Sequence, residues 1–400
     1  MTRRAARLAR ALVLCGMAAA TSTCSGMGDP SDHEDTSSAA ATKPAITTPT
    51  GESTTSTPAL PGTSGRATVP VVVAPMSVRG LRWARGDLPR SVPEPADALP
   101  SLLDDPPGRA LVASYVPRPD GLGWAGEAIE LYGVDRRWRR LSLGDLDLPP
   151  AGWAGYDTYG AGALSPDGRW WAGPMLSGFF LVDLRDGDVH VAEPVGRRYG
   201  EAGMATFSWS PDSDELVLIM RGGSSRVTLP DLRPTPFPRP ATYPRLLADG
   251  GWIECPEVRR IVSSCTTYAA DSSPRLVREV PADLQGRWHG PFDEVAGSVW
   301  FSLARSSYGN HRTDWEVAQT DDSFHVRSRL VLPRGSQING VLPALGPTSL
   351  GLAALQDRLL LAFLPGTGEI VRVLRTGSLS AVTAQDFWDV SFARDLVTVR

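Results

Sequence analysis

Apolar residues in this chain come in runs of strand length, and each run is closed by a cluster of Gly, Pro, Asp or Ser. Phe179-Phe180-Leu181-Val182 gives way to Arg185-Asp186-Gly187-Asp188 and then to Val189-His190-Val191. Leu359-Leu360-Leu361-Ala362-Phe363, Pro365-Gly366-Thr367-Gly368 and Ile370-Val371-Arg372-Val373 repeat the plan. Such runs, bounded by turn residues, predict strand–turn–strand units. Two further stretches read almost alike: Ala163-Leu164-Ser165-Pro166-Asp167-Gly168-Arg169-Trp170-Trp171 and Ser208-Trp209-Ser210-Pro211-Asp212-Ser213-Asp214-Glu215-Leu216-Val217. In each, a strand ends at Ser-Pro, the next residues turn, and a second strand follows at once. Ser165 and Ser210 lie 45 positions apart. A period of that size predicts a repeated four-strand unit. It argues against a β-sandwich pair, whose strands recur at 8 to 12 residues without a superperiod.

The Ser-Pro-Asp stretches resemble the blade repeat of TolB-like and WD40-like β-propellers. The resemblance implies an all-β fold of four-stranded antiparallel blades, with the inner strand of each blade ending at Ser-Pro. On that plan the blades fall at about 108–146, 156–196, 203–235, 247–282, 288–333 and 338–377. Two short runs remain at the C-terminus, Val390-Ser391-Phe392 and Leu396-Val397-Thr398-Val399. Val69-Pro70-Val71-Val72-Val73 and Leu81-Arg82-Trp83 are available to pair with them, which would close the ring and remove open sheet edges. The count is then seven blades, with six as the alternative. Trp170, Trp171, Trp209 and Trp300 sit inside strand patterns and are expected to pack between blades.

The N-terminus carries an address. Arg3, Arg4, Arg7 and Arg10 precede a short uncharged apolar run, Ala11 to Ala20, which is the plan of a secretory signal over 1–23. The run is too short to span a bilayer core, and no later run reaches spanning length. Cys24, just beyond it, resembles the lipid-attachment cysteine of bacterial lipoproteins, although Thr21, Ser22 and Thr23 replace the family's preferred residues. The resemblance implies a lipid anchor on the outer face of the cytoplasmic membrane or the cell surface. Cleavage after Ala20 would instead release a secreted protein. Residues 24–68 are rich in Ser, Thr and Pro and poor in large apolar side chains, so a disordered tether is expected, with a reach of about 35 to 40 Å. The propeller domain then occupies 69–400.

Charge and cysteine count narrow the partners. Basic residues number 40 against 44 acidic ones, and four of the arginines belong to the leader. Such a balance argues against nucleic acid, because phosphate binding needs a positive footprint. Cys255 and Cys265 are the only cysteines in the folded part, and export favours a disulfide between them. Metal binding is the alternative reading, but no histidine lies close to the pair. No phosphate-binding loop, nucleophile elbow or zinc helix occurs, and no cofactor or metal is implied. The acidic pairs Asp186/Asp188, Asp212/Asp214 and Asp321/Asp322 are expected to bond their own turns.

The propeller plan also assigns faces. Links between blades and the loops joining second to third strands share one face, while the Asp-Gly turns lie on the other. Four aromatic-rich segments fall on the first face. They carry Arg118, Asp120 and Trp124; Trp153, Tyr156, Asp157 and Tyr159; Trp288 and His289; and Tyr308, Asn310, His311 and Arg312. These residue types combine contact area with hydrogen bonding, as binding hot spots do. The expectation is a binding or scaffold module for an extracytoplasmic protein, peptide or glycan, touching membrane through its anchor alone. The competing reading is an extracytoplasmic propeller hydrolase or lyase acting on an extracellular polymer, with Asp120, Asp157 and His311 as first suspects.

Overall fold

A computed structural model describes residues 69–86, 88–117, 126–146, 163–174, 179–192, 206–220, 223–229, 231–237, 244–258, 261–284, 291–295, 298–304, 315–338, 340–345, 348–354, 356–377, 390–397 and 399. Six four-stranded antiparallel meanders form the propeller, and each runs from an inner to an outer strand. Blade 1 consists of Val390–Phe392, Ala110–Pro117, Gly126–Gly133 and Trp138–Ser142. Blade 2 is Ala163–Leu164, Trp170–Pro174, Phe179–Asp183 and Asp188–Ala192; blade 3 is Thr206–Trp209, Glu215–Met220, Gly223–Thr228 and Arg233–Pro236. Blade 4 is Arg245–Leu246, Trp252–Glu254, Ser264–Tyr268 and Pro274–Glu279, with a small hairpin, Glu257–Val258 and Ile261–Val262, inserted between its second and third strands. Blade 5 is Pro291–Val295, Ser298–Ala304, Trp315–Thr320 and Val326–Leu332; blade 6 is Gly340–Ala344, Leu350–Ala354, Leu359–Leu364 and Glu369–Thr376.

The core is divided into layers, one between each pair of neighbouring blades. Strand alternation explains why the apolar runs are unbroken. Leu359, Leu361 and Phe363 pack with Trp300 and Leu330 of blade 5, while Leu360 and Ala362 pack with Leu111 and Tyr132 of blade 1. Both faces of a blade are covered, so successive residues must all be apolar. Adjacent tryptophans separate in the same way: Trp171 joins the layer toward blade 1, and Trp170 joins Trp209 in the layer toward blade 3. Trp300 is fully buried toward blade 6. All four strand tryptophans therefore pack between blades as the sequence predicts.

The repeated turn has a local mechanism. Ser165 Oγ donates to Asp167 Oδ1 (2.6 Å) and accepts from the Trp170 N–H (2.9 Å). Ser210 Oγ does the same with Asp212 (2.5 Å) and the Glu215 N–H (2.9 Å). The hydroxyl thus ties both ends of the turn to one atom. Gly168 sits at φ 74°, where an added Cβ would lie 2.4 Å from the Ala110 carbonyl oxygen. Ser213 occupies the matching position of blade 3 at φ 67°, and its Oγ accepts from the Asp167 N–H (3.1 Å), bonding one turn to the next.

Closure differs from the expected pairing. Val390–Phe392 serves as the inner strand of blade 1, opposite Val112 to Ser114, so no seventh blade occurs among the described residues. Val71–Val73 pairs instead in parallel with the outer strand of blade 5. Trp83 bridges Arg372, and Ser91–Val92 pairs in parallel with the outer strand of blade 6. Ser101 bridges Arg140 on the outer strand of blade 1. Residues 69–102 therefore form a strap outside three blades. The physical reason is strand count: Val390–Phe392 already supplies the fourth strand of blade 1, so the N-terminal run is left to pair with outer strands. The two termini still meet, by packing: Val92 shares a buried cluster with Val397 and Val399.

Polar contacts hold the strap. The Val78 N–H donates to Gln337 Oε1 (2.8 Å), Arg372 Nη2 donates to the Val78 carbonyl (2.6 Å), and Trp138 Nε1 donates to the Pro93 carbonyl (2.9 Å). Cys255 and Cys265 are joined, with an S–S distance of 2.02 Å, at the base of the blade 4 hairpin. Cys24, the signal segment 1–23 and the tether 24–68 lie outside the described residues. Among the described residues, no helix is long and apolar enough to cross a membrane.

Candidate functional site

The two faces of the ring are built differently. On one, every connection is brief: 165–169, 184–187, 210–214, 229–232, 247–251, 269–273 and 365–368 join strands directly. At the other are the strand ends that bracket the long spans, among them 118–125, 143–162, 193–205, 280–290, 305–314 and 377–389. Strand direction forces this division. The second and third strands of a blade meet at the end opposite the first turn, and each outer strand finishes at that same end before the chain moves to the next blade.

Carboxylates on the short-turn face are spoken for. Asp183 is almost buried, and burial would push its carboxyl up; the hydrogen bond from Arg169, the Arg185 N–H and the two guanidinium charges outweigh that and hold it below the usual range. Asp249 is held low by Arg275 and by the Gly251 N–H. Asp321 is desolvated, but the N–H groups of His325 and Ser323 and the charge of Arg327 bring it below the ordinary carboxylate range. Asp186 Oδ1 accepts from the Asp188 N–H (3.0 Å), and Asp212 Oδ1 accepts from the Asp214 N–H (3.4 Å). The acidic pairs therefore bond their own turns, as expected. Asp395 is the exception: burial, with the nearby Asp167 adding to it, raises its carboxyl above the ordinary value against the pull of Arg394. Among the described residues, no three His, Cys, Asp or Glu side chains converge to hold a metal ion.

Sequence reading recognised two copies of the turn; two more are present. Leu247-Ala248-Asp249-Gly250 turns blade 4, with Gly250 at φ 76° and the Asp249 carboxylate accepting from the Gly251 N–H (2.9 Å). Ala393-Arg394-Asp395 takes the same place in blade 1, after the closing strand. Neither carries the Ser-Pro pair, so the signal was an Asp following a short apolar run, with a Gly after it in blade 4 alone.

The candidate binding residues belong to spans whose bracketing strand ends lie at the long-span face. Arg118, Asp120, Trp124, Trp153, Tyr156, Asp157, Tyr159, Trp288, His289, Tyr308, Asn310, His311 and Arg312 all lie outside the described residues. The strands that bracket them are described. Pro117 and Gly126 pair at the end of one hairpin, and Ala304 and Trp315 pair at the end of another. Ala163 and Pro291 open the blades that follow the other two segments. All four segments therefore leave from, and return to, the same side of the ring.

No family model and no curated protein matches the chain. Solved structures do. A chain of a nidogen/laminin complex matches at 11% identity over 72% of this chain and 99% of that one, with a TM-score of 0.41. An oligogalacturonate lyase from Vibrio parahaemolyticus matches at 10% identity over 70% and 83%, with a TM-score of 0.38. Hydrazine synthase from Kuenenia stuttgartiensis matches at 12% identity over 74% and 84%, with a TM-score of 0.37. At these scores the propeller assignment rests on the strand order of this chain itself.

Proposed function

We propose that this protein is an extracytoplasmic binding or scaffold module, held at a membrane surface through Cys24, that takes a protein, peptide or glycan partner on its long-span face. The observation that carries this reading is the asymmetry of the faces. Turns on one face consume their own polar groups. The spans bracketed at the other are long and rich in Trp, Tyr, His, Arg and Asp, the residue types that supply contact area and hydrogen bonds at hot spots. The strap runs parallel to the outer strand of blade 5, so Val71 enters at the end where that strand begins, beside the short turn 321–325.

Pull-down from envelope extract tests the face. Wild type should recover a partner that a Trp153→Ala/Tyr156→Ala/Tyr159→Ala variant loses; equal recovery from both removes the proposed face. Mass spectrometry of the mature N-terminus tests the anchor. Acylated Cys24 supports it, and an unmodified chain beginning at Thr21 overturns it.

A further inference from the structure

Exposed apolar side chains gather on the strap. Among the described residues eight large apolar side chains are exposed, and four of them, Val69, Val71, Val73 and Met76, fall within eight consecutive positions. Their exposure runs from 37% at Val69 to 63% at Val73. The other four are divided among blades 1, 2 and 4. Alternation accounts for the pattern. Val72 packs into the layer between blades 5 and 6, so Val71 and Val73 point the other way. A grouped apolar exposure of this kind marks a contact surface more often than scattered single residues do.

The same sector is basic. Arg79, Arg82, Arg85 and Arg90 on the strap are all exposed. Arg375 is exposed next to Arg90, whose carbonyl accepts from the Arg375 N–H (2.9 Å). Arg334 is exposed next to Gly335, near which the Met76 side chain lies. The register that pairs Val71 with Arg329 continues through the bond from the Arg329 N–H to the Pro70 carbonyl (2.9 Å), which sets Val69 beside Arg327. Residues 69–92, 326–334 and 369–376 together hold nine arginines against two acidic residues, in a chain with 40 basic and 44 acidic residues. One of the two, Glu369, pairs with Arg82. Farther along the strap Glu94 and Asp97 are exposed, so the positive sector stops near blade 6.

Apolar side chains set among arginines suit an anionic lipid surface. The apolar groups enter the headgroup boundary and the guanidinium groups meet lipid phosphate. A soluble polyanion would use the arginines and leave the valines and the methionine idle. We propose that the strap over blades 5 and 6 is a second membrane-contact surface, which rests on anionic lipid with Val69, Val71, Val73 and Met76 at its centre. The choice of lipid rests on the anchor proposed above. Cys24 lies 45 positions before Val69, and a flexible tether of that length would reach about 35 to 40 Å. Within that reach a weak contact is enough, because the second binding event is intramolecular.

Vesicle flotation of the full chain carrying Cys24→Ser tests the surface with no acyl chain present. This parent should bind vesicles of phosphatidylglycerol and phosphatidylcholine in equal parts about ten-fold or more tighter than phosphatidylcholine alone, and salt should shrink the difference. Arg79→Gln/Arg85→Gln/Arg90→Gln should weaken binding to the mixed vesicles by about a hundred-fold, at roughly five-fold per charge. Val71→Thr/Val73→Thr/Met76→Gln should weaken it by about five-fold or more, whereas Arg233→Gln, on the outer strand of blade 3, should leave it unchanged. All variants share one N-terminus, so any affinity of the leader cancels, and equal unfolding midpoints verify that the strap stays paired. Equal binding to both vesicle types would overturn the proposal. So would an apolar variant that binds as its parent does, which would make the arginines a site for a soluble polyanion. The anchor is read separately, by mass spectrometry of the N-terminus. Acylated Cys24 without strap binding overturns this proposal and spares the anchor; an unmodified N-terminus with binding to mixed vesicles intact overturns the anchor and supports the strap.

Discussion

Blades 5, 6 and 1 and blades 2, 3 and 4 share one strand plan but meet solvent differently. In the first set the strap adds parallel pairs to the outer strands, and its side chains enter the interblade layers: Val92 is fully buried beside Val397 and Leu374. In the second set the outer strands are the rim. Their side chains are exposed, and stability there comes from the turns and, in blade 4, from a disulfide. The difference shows what a ring needs at its seam. Blade 1 takes its inner strand from the far end of the chain through three residue pairs. The strap braces the two sides of that junction from outside, where a longer contact fits.

The same substitution in both halves breaks the comparison most strongly. Val92→Asp buries a carboxylate in the seam and should cost about 4 kcal/mol or more. Val191→Asp, on the open rim of blade 2, should change stability by about 0.5 kcal/mol or less. Urea unfolding midpoints of the two variants measure the gap, and comparable losses would deny the strap its bracing role. Next in size is the blade 4 disulfide. Replacing Cys255 and Cys265 by Ser should lower unfolding free energy by about 2 to 3 kcal/mol, read from denaturant curves without reductant. Ser165→Ala and Ser210→Ala should each cost about 1 kcal/mol, because each removes the buried hydroxyl that joins a turn carboxylate to the N–H opening the next strand; calorimetric midpoints would report both.

The smallest effect sharpens the seam. Asp395 belongs to the closing turn, and its carboxyl is raised in the folded state. Its favourable contribution is therefore complete below the unfolded value of about 3.9 and is lost as pH rises through the folded value. At neutral pH the ionised group is a small cost. Asp395→Asn should raise stability slightly at pH 7, by less than about 0.5 kcal/mol since the side chain is half exposed, and the gain should vanish in acid. Asp183 has the opposite sign. Arg169 holds its carboxyl low, so its contribution is present above about pH 3.9 and lost as pH falls through its folded value. An Asp183→Asn variant should therefore be weaker than wild type at neutral pH, with the difference closing in acid melts.

The blades were legible because their cause is local. An apolar run of strand length bounded by Gly, Pro and Asp fits a doubly covered strand, and most blade strands fall inside the six spans read from that pattern; Arg245–Leu246, the end of Arg233–Pro236 and the closing strand Val390–Phe392 fall outside them. The strap was half legible. Val69-Pro70-Val71-Val72-Val73 reads as a strand from its residues, but its partner lies 258 positions away at Arg329, and nothing local in either segment encodes that pairing. The closing strand was legible as an apolar run, and its turn was not: Ala393-Arg394-Asp395 keeps the carboxylate and lacks the hydroxyl and the proline that made the other turns conspicuous. As for the candidate site, topology puts the strand ends that bracket its four segments on one side, which strand parity alone determines. How Trp153, Tyr156, His289 or Tyr308 meet one another depends on loop conformation, which hydrophobic periodicity does not encode.

The strap has a consequence for the order in which the molecule is made. Residues 69–102 leave the ribosome before any blade exists, yet their partners are the outer strands of blades 5 and 6. The segment synthesised first is thus among the last to be placed, and pairing over such a sequence distance is slow. Through most of synthesis the nascent chain carries its own clasp unfastened, with Val71, Val72 and Val73 available to any other open edge. A half-made ring is held by its neighbours alone; the finished one is held by its beginning.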